Sequence, residues 1–230
     1  MKYVTILISF IILYGCKTEQ TTEIGDLSVV GLYCKYPDND FLYLSFELFQ
    51  NDILIKSDTL EFSEKSSIKG LPFGSYSIKF NSIYNNQETI QFELKNKSQE
   101  VKLCIDQLNI KLKPKKLLVD QLKTNEKLKI DFFSLGCFHL EESSLEIIKM
   151  KNHYIAKLGK DQIVMSEEQF ELIREFETEL RTIKPGYCTT SNKYNLTTEE
   201  GKTYELIDNS CMWYGYDNLI KTLGLKNNRT

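Results

Sequence analysis

The chain reads as a mostly β amino-terminal sandwich followed by a carboxy-terminal α+β domain, an antiparallel sheet with one long helix. Three observations predict it. Short apolar alternations separated by turn residues run from Leu27 to Asp106. A polar stretch, residues 107–127, containing Lys113-Pro114-Lys115-Lys116, interrupts the pattern as a linker would. Beyond it, alternating segments give way to an apolar run at helical spacing.

Residues 1–15 stand apart from both units. Lys2 precedes Val4, Ile6, Leu7, Ile8, Phe10, Ile11, Ile12 and Leu13, with only Thr5 and Ser9 as polar interruptions. A helix needs ~20 apolar residues to cross ~30 Å of hydrocarbon, so this run is too short to span and reads as a cleaved export signal. It closes on Leu13-Tyr14-Gly15-Cys16, which resembles the lipobox of bacterial lipoproteins at three of its four positions. The resemblance implies that the Cys16 thiol receives a diacylglycerol, that the leader is cleaved before it, and that the new amino terminus is acylated. In that family an Asp directly after the cysteine retains the protein at the inner membrane. Lys17 occupies that position here, so the expected destination is the outer membrane of the cell envelope.

Residues 16–26 are polar, dominated by Thr and Glu, and read as a lipidated tether. Strands are expected at Ser28 to Tyr36, at Phe41 to Gln50, and at Ile53 to Lys56 across an Asn51-Asp52 turn. Short ones follow at Leu60 to Phe62 and Ser67 to Lys69. Tyr76, Ile78 and Phe80 then alternate with polar neighbours, Ile90, Phe92 and Leu94 resume after Asn85-Asn86, and Val101, Leu103 and Ile105 close the set. That is about seven strands, the number of a sandwich. Gly70-Leu71-Pro72-Phe73-Gly74-Ser75-Tyr76 resembles the Leu-Pro-x-Gly-x-Tyr turn of carboxypeptidase regulatory-like and related prealbumin-like sandwiches. Pro72 fixes its own φ, and Gly74 allows a positive one before the strand begins at Tyr76. The resemblance implies a packing or spacer unit beside another domain.

In residues 128–230, strands are expected around Leu128 to Phe132, Leu145 to Met150 and Tyr154 to Leu158. Ser166-Glu167-Glu168-Gln169 is a capping box that opens a helix through Phe170, Ile173, Phe176, Leu180 and Ile183, ending before Pro185-Gly186. Tyr194 and Leu196 face Leu206 and Tyr204 across Glu199-Glu200-Gly201, a hairpin. Asp217 is placed to cap a last helix that Gly224 stops.

Export changes how the remaining cysteines read: Cys34, Cys104, Cys137, Cys188 and Cys211 favour disulfides, and an odd count leaves at least one outside the intramolecular pairs. Cys188 with Cys211 is the preferred pair, needing a bulge near Asn209-Ser210. Cys34 with Cys104 is disfavoured by strand parity, which makes Cys137 the competing partner of either. Gly136-Cys137-Phe138-His139, with His153 later, is the one arrangement that suggests a thiol-dependent hydrolase. A metal set of Cys137, His139, Cys188 and Cys211 lacks the paired spacing of a structural zinc site, and no metal or other cofactor is expected. Cys211-Met212-Trp213-Tyr214-Gly215-Tyr216 is the densest aromatic segment. Exposed, Trp213, Tyr214 and Tyr216 would form a binding patch, whereas buried they would pack the last helix on the sheet.

A net charge of −3 with both signs interspersed, and no basic stripe with aromatics between, excludes a nucleic-acid partner. The expectation is a lipid-anchored envelope protein with a non-catalytic binding or structural role. It meets the membrane through Cys16 and a protein partner through its folded body. An inhibitor or immunity-type lipoprotein acting on an envelope enzyme, and a hydrolase using Cys137, are the alternatives.

Overall fold

A computed structural model describes residues 23–41, 43–61, 64–84, 86–108, 116–183 and 186–226. Cys16 with its leader, Asn85, Pro185 and residues 109–115, and with them the expected cleavage and lipidation, lie outside the described residues.

Among the described residues the fold is mostly β, with three sheets and two α-helices. The first seven strands are β1 (Ile24–Leu32), β2 (Tyr43–Gln50), β3 (Ile53–Glu61), β4 (Lys65–Pro72), β5 (Gly74–Asn81), β6 (Gln87–Leu94) and β7 (Ser98–Cys104). They form a three-stranded sheet in the order β4-β1-β7 and a four-stranded sheet in the order β3-β2-β5-β6. Asn51 and Asp52 both take positive φ, 49° and 63°, the conformation of a two-residue hairpin turn. The two short strands expected between Ile53 and Phe62 are one strand, β3. β1 starts at Ile24, so the polar stretch read as a tether extending to Asp26 is already paired at its end: the Asp26 carboxylate accepts the Gly70 amide at 3.0 Å.

Not every pairing is antiparallel. β1 runs parallel to β7, with Leu32 opposite Cys104. Inward residues of β1 are Leu27 and Val29, and just past its end Tyr33 continues the same phase, all essentially buried. The turn between β4 and β5 is closed by the Tyr76 hydroxyl, which donates to the Pro72 carbonyl at 2.6 Å, while Gly74 sits at φ 151°.

The six-stranded sheet is antiparallel throughout. Its strands are β8 (Lys127–Leu135), β9 (Leu140–Lys149), β10 (Tyr154–Leu158), β11 (Asp161–Met165), β12 (Ser191–Thr198) and β13 (Thr203–Asp208), in the order β11-β10-β9-β8-β12-β13. β12 and β13 pair Tyr194 with Leu206 and Leu196 with Tyr204, the register expected from their alternation. Between β11 and β12, α1 (Glu167–Leu180) begins at a complete capping box, the Ser166 hydroxyl accepting the Gln169 amide and the Gln169 side chain accepting the Ser166 amide. α2 (Gly215–Leu223) ends on Gly224 at φ 72°, but its N-cap is Tyr214, not Asp217, and no side chain caps it.

Ile173, Phe176 and Leu180 of α1 and Leu219, Ile220 and Leu223 of α2 are buried with Leu128, Ile130, Leu145, Ile147, Tyr194 and Leu196 of the sheet. One continuous core runs through all three sheets and both helices. The stretch read as a solvated linker is partly buried: Leu117, Leu118, Val119 and Leu122 are in that core around a 3-10 turn, Val119–Gln121.

Candidate functional site

Polar chemistry concentrates where the trailing end of β1 meets α1 and the segment before α2. Asp106 follows β7 and accepts three successive amides, those of Cys34, Lys35 and Tyr36, at 2.7, 2.8 and 3.0 Å. Three charge-assisted bonds on one carboxylate hold the turn after β1 in a single shape. The Cys34–Cys104 disulfide clamps the same turn, with Cα atoms 5.3 Å apart. This bridge corrects the parity argument against it. Cys34 is in phase with Val30 and Leu32, which are the outward set, and Cys104 is outward of Val101 and Leu103, so both thiols lie outside the core. Parallel pairing then brings the two strand ends to the same place.

The turn presents Tyr33 and Lys35 to α1. The Lys35 ammonium lies 2.7 Å from Glu179 and 2.9 Å from Glu175, and 4.7 Å from the Tyr36 ring centroid. Glu179 is buried to 3 % exposure, takes the Trp213 indole N–H at 2.9 Å, and is hydrogen-bonded to the buried Tyr84 hydroxyl. Burial pushes the Glu179 carboxyl up against the opposing pull of Lys35 and Trp213. It also works against the Lys35 ammonium, which the Glu179 carboxylate overrides to raise its pKa. Two residues earlier on α1, Glu177 accepts the Leu118 and Val119 amides at 2.7 and 3.0 Å and pairs with Arg181 at 2.6 Å. The Tyr33 hydroxyl donates to the Met212 carbonyl, and its ring meets Tyr214 edge-on at 6.3 Å. Together these contacts form a braced joint, with nearly every polar group engaged by a neighbour.

Of the two readings of the aromatic segment, the packed one holds for Trp213 and Tyr216. Trp213 is 3 % and Tyr216 1 % exposed. Trp213 stacks on Phe176 at 5.5 Å, and Tyr216 stacks on Phe132 at 4.6 Å while its hydroxyl donates to Ser143. Only Tyr214 keeps part of its surface, and it reaches Asp40. Cys188 and Cys211 are bridged, their Cα atoms 5.9 Å apart. The chain leaves the β13 register after Asp208 through a turn in which Cys211 adopts φ 55°, which supplies the offset that an unbroken hairpin would lack.

Cys137 is free and exposed. It and His139 lie in the turn between β8 and β9, not on a strand. The His139 ring is 3.0 Å from the Ser134 hydroxyl, and His153 sits beyond the far end of β9, a strand of ten residues and so about 30 Å away. With Cys188 and Cys211 bonded to each other, the four-ligand metal set is taken apart, and among the described residues no group of His, Cys, Asp or Glu is arranged to hold a metal ion. A shallow surface depression of about 570 Å³ lies on the β3-β2-β5 face and is lined by Ser45, Glu47, Ser57, Asp58, Thr59 and Lys79 among others. No helix among the described residues is long and apolar enough to cross a membrane.

Sequence reasoning missed Glu179, Lys35 and Asp106. The signal for Glu179 was present: it is three residues after Phe176 and four before Ile183, on the apolar stripe of α1. A carboxylate at such a position requires a buried partner. Comparison with protein-family models, curated proteins and solved structures finds no match to this chain.

Proposed function

We propose that the chain is a lipid-anchored protein of the cell envelope, held at a membrane through Cys16, with a non-catalytic binding or structural role. Residues 27–106 form a β-sandwich spacer of the regulatory-like kind, and residues 128–230 an α+β body that meets a protein partner. The observation that carries this reading is the run from Lys2 to Cys16, a single cation, an apolar stretch too short to span, and a lipobox-like end. The two disulfides support it, because four of the five cysteines after Cys16 are oxidised in pairs, as in a compartment outside the reducing cytosol. More than one acyl chain on the mature terminus gives stable anchoring, since each buried methylene contributes about 0.8 kcal/mol. Lys17 favours the outer membrane.

Phase separation in detergent tests the anchor: the wild-type protein should enter the detergent phase and Cys16→Ala the aqueous one. Equal partitioning of the two sinks the reading. Cross-linking in intact envelopes followed by capture of the chain identifies the partner.

A further inference from the structure

We propose that the leading end of β1, with the adjoining β2–β3 hairpin, seats on the bilayer through Ile24, Ile53, Leu54 and Ile55. The proposal rests on the lipid-anchor reading and adds a second, non-covalent contact to it. Five chain segments converge at this end. Ile24 pairs with Pro72, the Glu23 carbonyl accepts the Phe73 amide at 2.9 Å, and the Asp26 amide donates to the Lys97 carbonyl at 2.9 Å. Gly74 is opposite Leu94, and Gln50 is opposite both Tyr76 and Ile53.

The four apolar side chains are exposed by 56, 67, 50 and 43 % respectively. Single exposed isoleucines are ordinary, but three consecutive apolar residues on an edge strand are what soluble proteins avoid with charges or proline. β3 is the outer strand of its sheet, and its register shifts between Leu48 and Phe49, leaving Ile55 with no residue opposite. Nothing in the fold requires these side chains, since Leu44, Phe46, Leu48 and Leu60 already fill the inner face of β2 and β3. Charges around them are mixed: Lys95 pairs with Glu93 at 2.8 Å, and Glu23, Asp52 and Lys97 flank them. The contact is therefore hydrophobic in origin, not an attraction to anionic headgroups.

Covalent reach identifies the bilayer as the occupant. Residues 17–22 are all that separate Cys16 from Glu23, and a chain of that length spans at most about 25 Å. An acylated Cys16 would thus hold Ile24 and the hairpin beside the membrane at high effective concentration. The braced joint lies at the other end of β1, nine residues and about 30 Å further on, turned away from that surface.

The test uses full-length protein purified from membranes and reconstituted in vesicles of phosphatidylethanolamine and phosphatidylglycerol, with or without brominated acyl chains. Trp213 is the chain's single tryptophan and is buried, so Ile53→Trp adds one reporter at the hairpin. Brominated lipid should reduce the added emission about twofold or more, as for a side chain at the acyl boundary, and leave Trp213 unchanged. Leu140→Trp, at an apolar position as exposed as Ile24 at the β8–β9 turn, should be unaffected. Ile24→Trp is the second reporter if Ile53→Trp fails to fold. Unquenched emission from the Ile53→Trp variant, in acylated form, overturns the docking and leaves the anchor standing, whereas the mass at Cys16 in the same sample reports the anchor independently. Equal quenching in the Leu140→Trp variant also overturns it. So does protection of the hairpin only in native envelopes through a protein cross-link, which would make β3 an edge for a partner strand.

Discussion

At its first residue β1 emerges where aliphatic side chains are exposed, Ile24 by more than half, at the same end as Ile53 and Leu54; just past its last residue the chain enters a joint where Asp106 and Glu179 are buried and Lys35 is partly buried. The usual distribution of apolar and polar groups is reversed at the two ends of one strand. At the trailing end each polar group meets a partner of fitting geometry, so burial is compensated and relative orientation is fixed. At the leading end Ile24, Ile53, Leu54 and Ile55 keep about half or more of their surface in solvent, which is what the proposed bilayer contact would cover. Substitutions at the first end should therefore act on stability, and those at the second on surface behaviour.

The largest effect expected is at the clamp. Replacing Cys34 and Cys104 together by Ser opens a loop of sequence separation 70, for which the chain-entropy model gives about 4 kcal/mol. Denaturant unfolding measures it, and a loss below about 1 kcal/mol would show that Asp106 alone holds the turn. Next comes Glu179→Ala, which leaves the Trp213 indole N–H without its acceptor and Lys35 with Glu175 alone, and should cost about 3 kcal/mol. An unchanged midpoint would mean that the joint is not braced through this carboxylate.

Asp208 sharpens the comparison by pH. Its Oδ1 accepts the Ser210 amide, its Oδ2 has no hydrogen-bond partner among the described residues, and burial raises its carboxyl above the ordinary carboxylate range. Between the ordinary and raised values the folded protein holds more protons than the unfolded chain, so stability falls as pH rises through that window. Asp208→Asn should accordingly stabilise by about 1 kcal/mol at neutral pH, an advantage that fades as pH falls below the window. A pH-independent difference would contradict this. Smallest of all, Ile53→Ser should change unfolding free energy by less than about 0.5 kcal/mol. A cost of several times that would place Ile53 in the fold and remove the contrast between the two ends.

Much of the secondary structure was legible because the relevant signals are local. The β12–β13 register follows from alternation around one three-residue turn, the start of α1 from a four-residue box, and the end of α2 from Gly224. β11 was not legible: five residues of mixed polarity after Gly159 give too short a period to separate from a loop. The Cys34–Cys104 bridge was misread because Val30 and Leu32 look like an inward pair, and only the parallel pairing with β7 shows that Leu27, Val29 and Tyr33 face the core. Trp213 and Tyr216 sit in a segment whose composition suits a binding patch as well as a core. Their burial depends on Phe176 and Phe132, partners 37 and 84 residues away in sequence, which no local pattern encodes. The joint escaped for the same reason, since Lys35 and Glu179 are separated by 144 positions.

Attachment at Cys16 is tested most directly by the intact mass of the protein extracted from membranes. The expected result is a chain that begins at Cys16 and carries diacylglycerol and an amide-linked acyl group, with four of its other cysteines oxidised and Cys137 alone open to alkylation without reductant. A mass matching an unmodified Cys16, or a chain that still begins at Met1, would contradict it.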